Sequence, residues 1–254
     1  MTAHGTHGAR GVGRSLRVYY APGRAAALDA FLSRFVGPGD LAFDVGAHVG
    51  DRTASFRRLG ARAVAVEPQP SLLRALRLIF GRDPGVTLVA ALVGPEPGEG
   101  VLRLNTANPT VATASDAFVA AADGAAGWEG QVWDAEIARP VTTLDALIAA
   151  HGEPAFAKLD VEGYEAEALA GLSRPLRSLS FEFTTIQRGV ARECLERLAS
   201  LGPYRFNACL GEDMRLALPC PVDAGAMAEW IGALPHEANS GDVYASLDAA
   251  RVAP

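Results

Sequence analysis

At 254 residues with a net charge of −6 and no basic block, the chain is long enough for one large α/β domain and carries no electrostatic footprint for nucleic acid or an anionic membrane surface. No apolar run approaches the roughly 18 residues of a membrane span, and the first 15 residues lack the apolar segment of a signal peptide, so a cytoplasmic protein is expected. Cys194, Cys209 and Cys220 are odd in number, widely spaced and without C-x-x-C, which reads as reduced, mostly buried thiols.

Residues 1–37 read as a solvated tail, in which His4 and His7 sit, followed by an amphipathic helix over 24–36. Pro38-Gly39 ends that helix, and the main domain is expected over 38–254. Its first element is LAFDVGAHVGD, residues 41–51: a buried strand (41–45), a glycine turn (46–50) and a helix start. AVAVEP then gives a second buried strand, ending on Glu67-Pro68. Two acids, Asp44 and Glu67, thus fall at the carboxyl ends of neighbouring parallel strands, where open α/β sheets bind ligands. Gly46 and Gly50 would let backbone approach a ligand, because no Cβ stands in the way, and the following helix would aim free N–H groups into the same space.

An acid roughly 20 residues past such a turn suits the two hydroxyls of a ribose. A dinucleotide turn prefers G-x-G-x-x-G, with its middle glycine making room for pyrophosphate. Here His48 holds that position, and Asp44 would repel a phosphate while suiting the cationic methionine end of S-adenosyl-L-methionine. The P-loop signature is absent as well. Adenosyl binding is the reading these residues favour; a merely connecting turn is the alternative.

Downstream, a helix over 71–80 with Ser71 as N-cap precedes a third strand over 86–93. Residues 101–104 and 137–143 alternate as an antiparallel excursion around an insert, about 105–139. Its alanine, threonine and glycine content fits either an acceptor lid or an exposed linker. Thr143 caps a short helix (144–150). A fourth buried strand (156–161), a helix (165–172), a strand (176–183), a helix (190–201) and two late strands near 204–210 and 242–247 complete a β-then-α rhythm.

The second chemical cluster is AKLDVEGYE, residues 157–165. Strand alternation places Lys158 and Asp160 on one face, with Glu162 just beyond the strand at the Gly163 turn. Charges beside Phe156, Leu159 and Val161 would cost several kcal/mol each if buried unpaired, so Lys158 orienting a carboxylate is expected; a structural ion pair with helix N-terminal acids is the alternative. Lys158 is the single lysine against 22 arginines. Either a compact ammonium fits where a guanidinium does not, or the position escaped by chance. Asp160 and Glu162 also offer hard oxygens to a divalent metal, but no third carboxylate or histidine can be placed beside them from the sequence, and no metal ligand is assigned.

LAFDVGAHVGD, AVAVEP, VAALVG, VTTLDAL, FAKLDVEGYE and GDVYASL, in this order, resemble the FkbM-type S-adenosylmethionine-dependent methyltransferases over about residues 38–247. The resemblance implies a Rossmann-like class I methyltransferase fold: an α/β architecture with a seven-stranded, mostly parallel sheet, its last strand antiparallel and helices on both faces. It implies O-methylation of a hydroxyl on a sugar, glycolipid or natural product, a small-molecule or glycan acceptor. Carried over by position, Asp44, Val45, Gly46, Ala47, His48, Gly50, Glu67, Pro68, Ala91 and Asp160 would hold the cofactor, and Lys158, Asp160 and Glu162 would serve at the methyl-transfer site. Two positions depart from the pattern. His48 stands where asparagine is frequent, and Ala90-Ala91 stand where a polar residue often meets adenine. His48 is a rival base to the carboxylates. Rival functions are a catalytically silent cofactor-binding or partner-platform protein and a nicotinamide oxidoreductase, the latter lacking its glycine. Oligomeric state is not legible.

Overall fold

Residue alternation along the strands decides the layers of this computed structural model, which describes residues 3–254, with side chains from residue 10 onward. In β1 (Leu41–Val45), Leu41, Phe43 and Val45 face one side and Ala42 the other; Val64 and Ala63 divide likewise in β2 (Arg62–Val66), and Leu159 and Phe156 in β7 (Phe156–Leu159). The first face is covered by α6 (Leu144–His151), α7 (Glu165–Ala170), α8 (Arg188–Leu201) and α9 (Ala224–Ala233). The second is covered by α2 (Arg24–Leu32), α3 (Asp51–Arg58) and α4 (Pro70–Phe80), with Phe31, Phe35, Phe156 and Tyr244 forming an aromatic stack. Strands buried on both faces read as continuous apolar runs, as parallel sheets require.

The sheet has seven strands in the order β3-β2-β1-β7-β8-β10-β9, with β3 (Val86–Val89), β8 (Ser178–Thr184), β9 (Arg205–Leu210) and β10 (Ser240–Ser246). Strand β10 is reversed relative to the other six and pairs antiparallel with β8 and β9. The chain builds outward from β1 to β3 and then crosses to β7, so the strand order reverses between β1 and β7. Ligands bind at such a switch point, beyond the carboxyl ends of the strands.

Several expectations need correction. Residues 3–19, expected as a tail, form helix α1 (Ala3–Tyr19); the side chains of His4 and His7 lie outside the described ones. The third strand splits at Ala90-Ala91: β3 joins the main sheet, while β4 (Leu92–Val93) starts a second, three-stranded sheet with β5 (Gly98–Leu104) and β6 (Ala135–Thr142). Helix α4 begins at Pro70 behind Gln69, so Ser71 is inside it rather than its cap. Helix α9, capped by Asp223, was not foreseen. Thr143 does cap α6, its Oγ1 accepting from the Ala146 amide at 3.0 Å. The insert is a packed layer rather than a linker: α5 (Asp116–Ala122) buries Phe118 against Trp128, with Val111, Trp133 and Ile186 around them. Cys194 and Cys209 are buried, Cys220 is exposed, and all three are free thiols. Among the described residues, no helix is long and apolar enough to cross a membrane.

Candidate active site

A cavity of about 820 Å³, part of it open to solvent, lies beyond the carboxyl ends of β1, β2 and β7. Asp44, Val45, Gly46, Ala47, His48, Glu67, Pro68, Ala91, Lys158, Asp160 and Glu162 all line it. Gly50, expected against a ligand, does not. At φ 81° it begins α3, and a Cβ there would stand 2.5 Å from the Phe80 ring and 2.7 Å from Leu76, so its smallness serves the packing of α4. Gly46 lines the cavity, but its missing Cβ makes room for the Asp160 carbonyl, which brings the β1 and β7 turns together.

The turn presents a carboxylate rather than free amides. The Gly46 and Ala47 amides donate to the Val66 carbonyl, and that of His48 to Glu67 Oε2 at 2.9 Å. Glu67 Oε1 accepts from the Gln69 amide at 2.7 Å. Glu67 is therefore clamped, 2 % exposed, and each oxygen keeps a lone pair; burial pushes its pKa up to about 8. Asp44 Oδ2 accepts from the Thr53 amide and hydroxyl at the start of α3 (2.9 and 2.5 Å), and burial pushes Asp44 up to about 6. His48 sits at φ 50°, a left-handed conformation that asparagine adopts more readily than most residues. That accounts for a turn tolerating either type. Its Nε2 is buried without a hydrogen-bond partner, its ring meets Tyr19 of α1 edge-on at 5.2 Å, and burial lowers its pKa.

A second cavity of about 730 Å³ adjoins the first, and Tyr19, Arg52, Thr110, Lys158, Asp160, Glu162 and Glu212 belong to both. The far wall comes from the insert (Val111, Trp128) and from the ends of β8 and β10 (Glu182, Thr184, Ser240, Asp242). Lys158, 4 % exposed, bonds Asp160 at 2.7 Å and Asp242 at 3.3 Å. Although burial opposes it, these two carboxylates push the Lys158 pKa up; burial likewise opposes the ammonium, which holds Asp160 below the ordinary carboxylate range. Glu162 is in a φ 55° turn whose carbonyl accepts from Thr113 Oγ1 at 2.7 Å. Burial, with Asp160 and Glu165 close by, pushes Glu162 well above the carboxylate range. Arg52, also buried, pairs with Asp51 and Glu212, both at 2.7 Å.

Sequence reasoning missed Glu182, Asp242 and Tyr19, and it left the insert open between an acceptor lid and a linker. Asp242 stands opposite Glu182 in the β10–β8 register, a pairing across 60 residues that no local pattern signals, although GDVYASL was part of the resemblance. The third carboxylate that the sequence could not place beside Asp160 and Glu162 is Glu182.

A seven-stranded sheet with only its last strand reversed, and an acid-ended β2 beside a glycine turn, defines the class I methyltransferase architecture. The model of the methyltransferase FkbM domain matches residues 44–203, well over half of the chain, and the chain belongs to that family. Its cofactor is S-adenosyl-L-methionine. A comparison with curated proteins yields no match. Among solved structures, the chain is similar to a methyltransferase FkbM from Methylobacillus flagellatus (15 % identity, TM-score 0.48, covering 82 % of this chain). It spans 43 % of the length of that protein. It is also similar to a TehB-like SAM-dependent methyltransferase from Corynebacterium glutamicum (12 %, TM-score 0.47, 94 % of this chain and 97 % of that one). A third is an O-methyltransferase from Bacillus cereus in complex with SAH (12 %, TM-score 0.45, 94 % and 91 %).

Proposed function

We propose that this chain methylates a hydroxyl oxygen of a small-molecule or glycan acceptor (a sugar, glycolipid or natural product) and that the two adjoining cavities divide the work. The first takes S-adenosylmethionine: Glu67 offers two lone pairs to the ribose hydroxyls, and the unpartnered Nε2 of His48 faces the methionine end. The Gly46, Ala47 and His48 amides are already bonded to Val66 and Glu67 and so are not free for a pyrophosphate, which disfavours a nicotinamide cofactor. Ala91 leaves adenine to backbone and apolar contact. When bound, the cofactor supplies an electrophilic methyl group whose transfer depends chiefly on alignment.

The second cavity takes the acceptor. The single observation that carries this reading is that Lys158, Asp160 and Glu162 all lie in the wall common to both cavities. Lys158 fixes Asp160 to orient the acceptor hydroxyl. Glu162, whose carboxylate has no hydrogen bond among the described residues, takes the proton. Assignment to the 2.1.1 class of transferases, a cytoplasmic site of action and a protein that does not engage nucleic acid belong to the same reading. Titration calorimetry tests it: S-adenosylhomocysteine should bind and NAD should not, and the reverse pattern would end the methyl-transfer reading. Incubating cell extract with the protein and a deuteromethyl-labelled cofactor, followed by mass spectrometry, should then reveal the labelled acceptor.

A further inference from the structure

Three carboxylates converge where the acceptor cavity meets the cofactor cavity. Asp160 directly follows β7, Glu162 occupies the turn after it, and Glu182 projects from β8, and one oxygen of each lies within 4.8 Å of the others. Two of the three have no counter-charge. Lys158 is engaged by Asp160 and Asp242, and Arg52 by Asp51 and Glu212; among the described residues, no lysine or arginine pairs with Glu162 or Glu182. Glu162 is more than nine-tenths buried, and among the described residues its carboxylate holds no hydrogen bond. It faces both cavities from a left-handed turn that a non-glycine residue adopts at a cost, and Thr113 fastens that turn. Glu182 Oε2 is buried without a partner. Uncompensated carboxylates do not stay ionised in such a place without a cation.

We propose that Asp160, Glu162 and Glu182 bind one hard divalent cation of the magnesium, manganese or calcium type at the floor of the acceptor cavity. Such ions bind oxygen at roughly 2.0–2.6 Å, so any two oxygens on one ion stand at most about 4–5 Å apart, and the three oxygens here all lie within 4.8 Å of one another. An all-oxygen set without histidine or cysteine favours these ions over zinc. Two unpaired carboxylates match a charge of +2. Three protein ligands leave about three of six positions for water and for an acceptor that presents two neighbouring oxygens. A hydroxyl bound there would be both aligned and acidified. A carboxylate can ligate through one oxygen and keep the other for the proton, so the cation adds to the role of Glu162. The acceptor's part rests on the methyl-transfer reading; the cation site does not.

The test uses the full chain, stripped with chelator and titrated with Mn²⁺ alone while the free-ion paramagnetic resonance signal is followed. One equivalent of Mn²⁺ should bind, and Glu182→Gln and Glu162→Gln, nearly isosteric, should each weaken it at least tenfold. S-adenosylhomocysteine affinity should hold within about twofold in Glu182→Gln, because Glu182 does not line the cofactor cavity. Melting curves with and without Mn²⁺ add a second readout: the ion should raise the wild-type melting temperature and not that of either variant. Absence of stoichiometric Mn²⁺ binding in a protein that binds S-adenosylhomocysteine would overturn the cation site and leave carboxylic acids that share protons. Mn²⁺ binding untouched by both variants would overturn it too. Mn²⁺ binding lost in the variants, in a protein that ignores S-adenosylhomocysteine, would uphold the site and overturn the methyl-transfer reading instead.

Discussion

Glu67 does two jobs with one carboxylate. Its oxygens hold the amides of His48 and Gln69, fixing the turn after β1 to the end of β2, while the remaining lone pairs face the cavity. Removing a buried hydrogen-bonding partner costs about 1–3 kcal/mol, so Glu67→Ala should weaken S-adenosylhomocysteine binding about 5- to 150-fold by calorimetry. Because the amides lose their acceptor, it should also melt a few degrees lower, which the sequence alone gave no reason to expect. Titration adds a signed test. The folded Glu67 keeps its proton to about pH 8, against an ordinary value of 4.5, because of burial. The native state therefore binds more protons than the unfolded one between those values, and stability falls as pH rises through the window. Melting of the free protein should decline from pH 5 to pH 8, and Glu67→Gln should flatten that decline; an unchanged slope would show that Glu67 is ionised throughout.

Helix α1 is, with α9, an element that the sequence concealed, and for α1 the reason is physical. Residues 3–13 hold four glycines and two histidines among few apolar residues, and each glycine costs a helix interior about 1 kcal/mol. Tertiary contact overrides that propensity. Gly11 lies against Pro109 so closely that a Cβ would stand 2.6 Å from the ring, and the Tyr20 hydroxyl donates to the Val49 carbonyl at 3.0 Å. The strands carrying the site were legible, because buried parallel strands are apolar runs with a glycine or acid at their ends. The break of residues 86–93 into β3 and β4 was not, since VTLVAALV is apolar throughout and only pairing partners divide it. Lys158 with Asp160 was legible from alternation, whereas Glu182 is one acid in a strand until β7 stands beside it. Gly11→Ala sets propensity against packing. In an isolated helix it would stabilise; here the rigid ring should push α1 away. Amides 12–20 should then exchange faster and S-adenosylhomocysteine should bind more weakly, since Tyr19 lines the cavity. Slower exchange would mean that α1 does not dock on the 109–111 turn.

At the scale of the whole molecule, the insert adds a wall to each of the two cavities beyond the sheet. Leu104 of β5 pairs directly with Ala135 of β6, so residues 105–134 are the connection of a hairpin whose ladder does not need them. They close the cofactor cavity with Pro109, Thr110, Ala112 and Ala114, and wall the acceptor cavity with Val111 and Trp128. They also reach the chemistry: Thr113 holds the Glu162 carbonyl, and Phe118 fits against Gly163, where a Cβ would stand 2.6 Å from the ring. Replacing 105–134 by Asn-Gly, the dipeptide that suits a two-residue hairpin, separates these tasks. The seven-stranded sheet keeps its own core, formed by a different set of residues from the Phe118–Trp128 cluster, so far-ultraviolet circular dichroism should still show a cooperatively folded α/β protein. The Glu67 clamp lies outside the excised segment, so S-adenosylhomocysteine should still bind, weakened by roughly tenfold, about 1.4 kcal/mol, for the lost apolar wall. Deuteromethyl transfer to extract components should vanish, because the acceptor loses its wall and Glu162 the contact that fixes its turn. Transfer at the wild-type rate would place the acceptor on another face of the sheet.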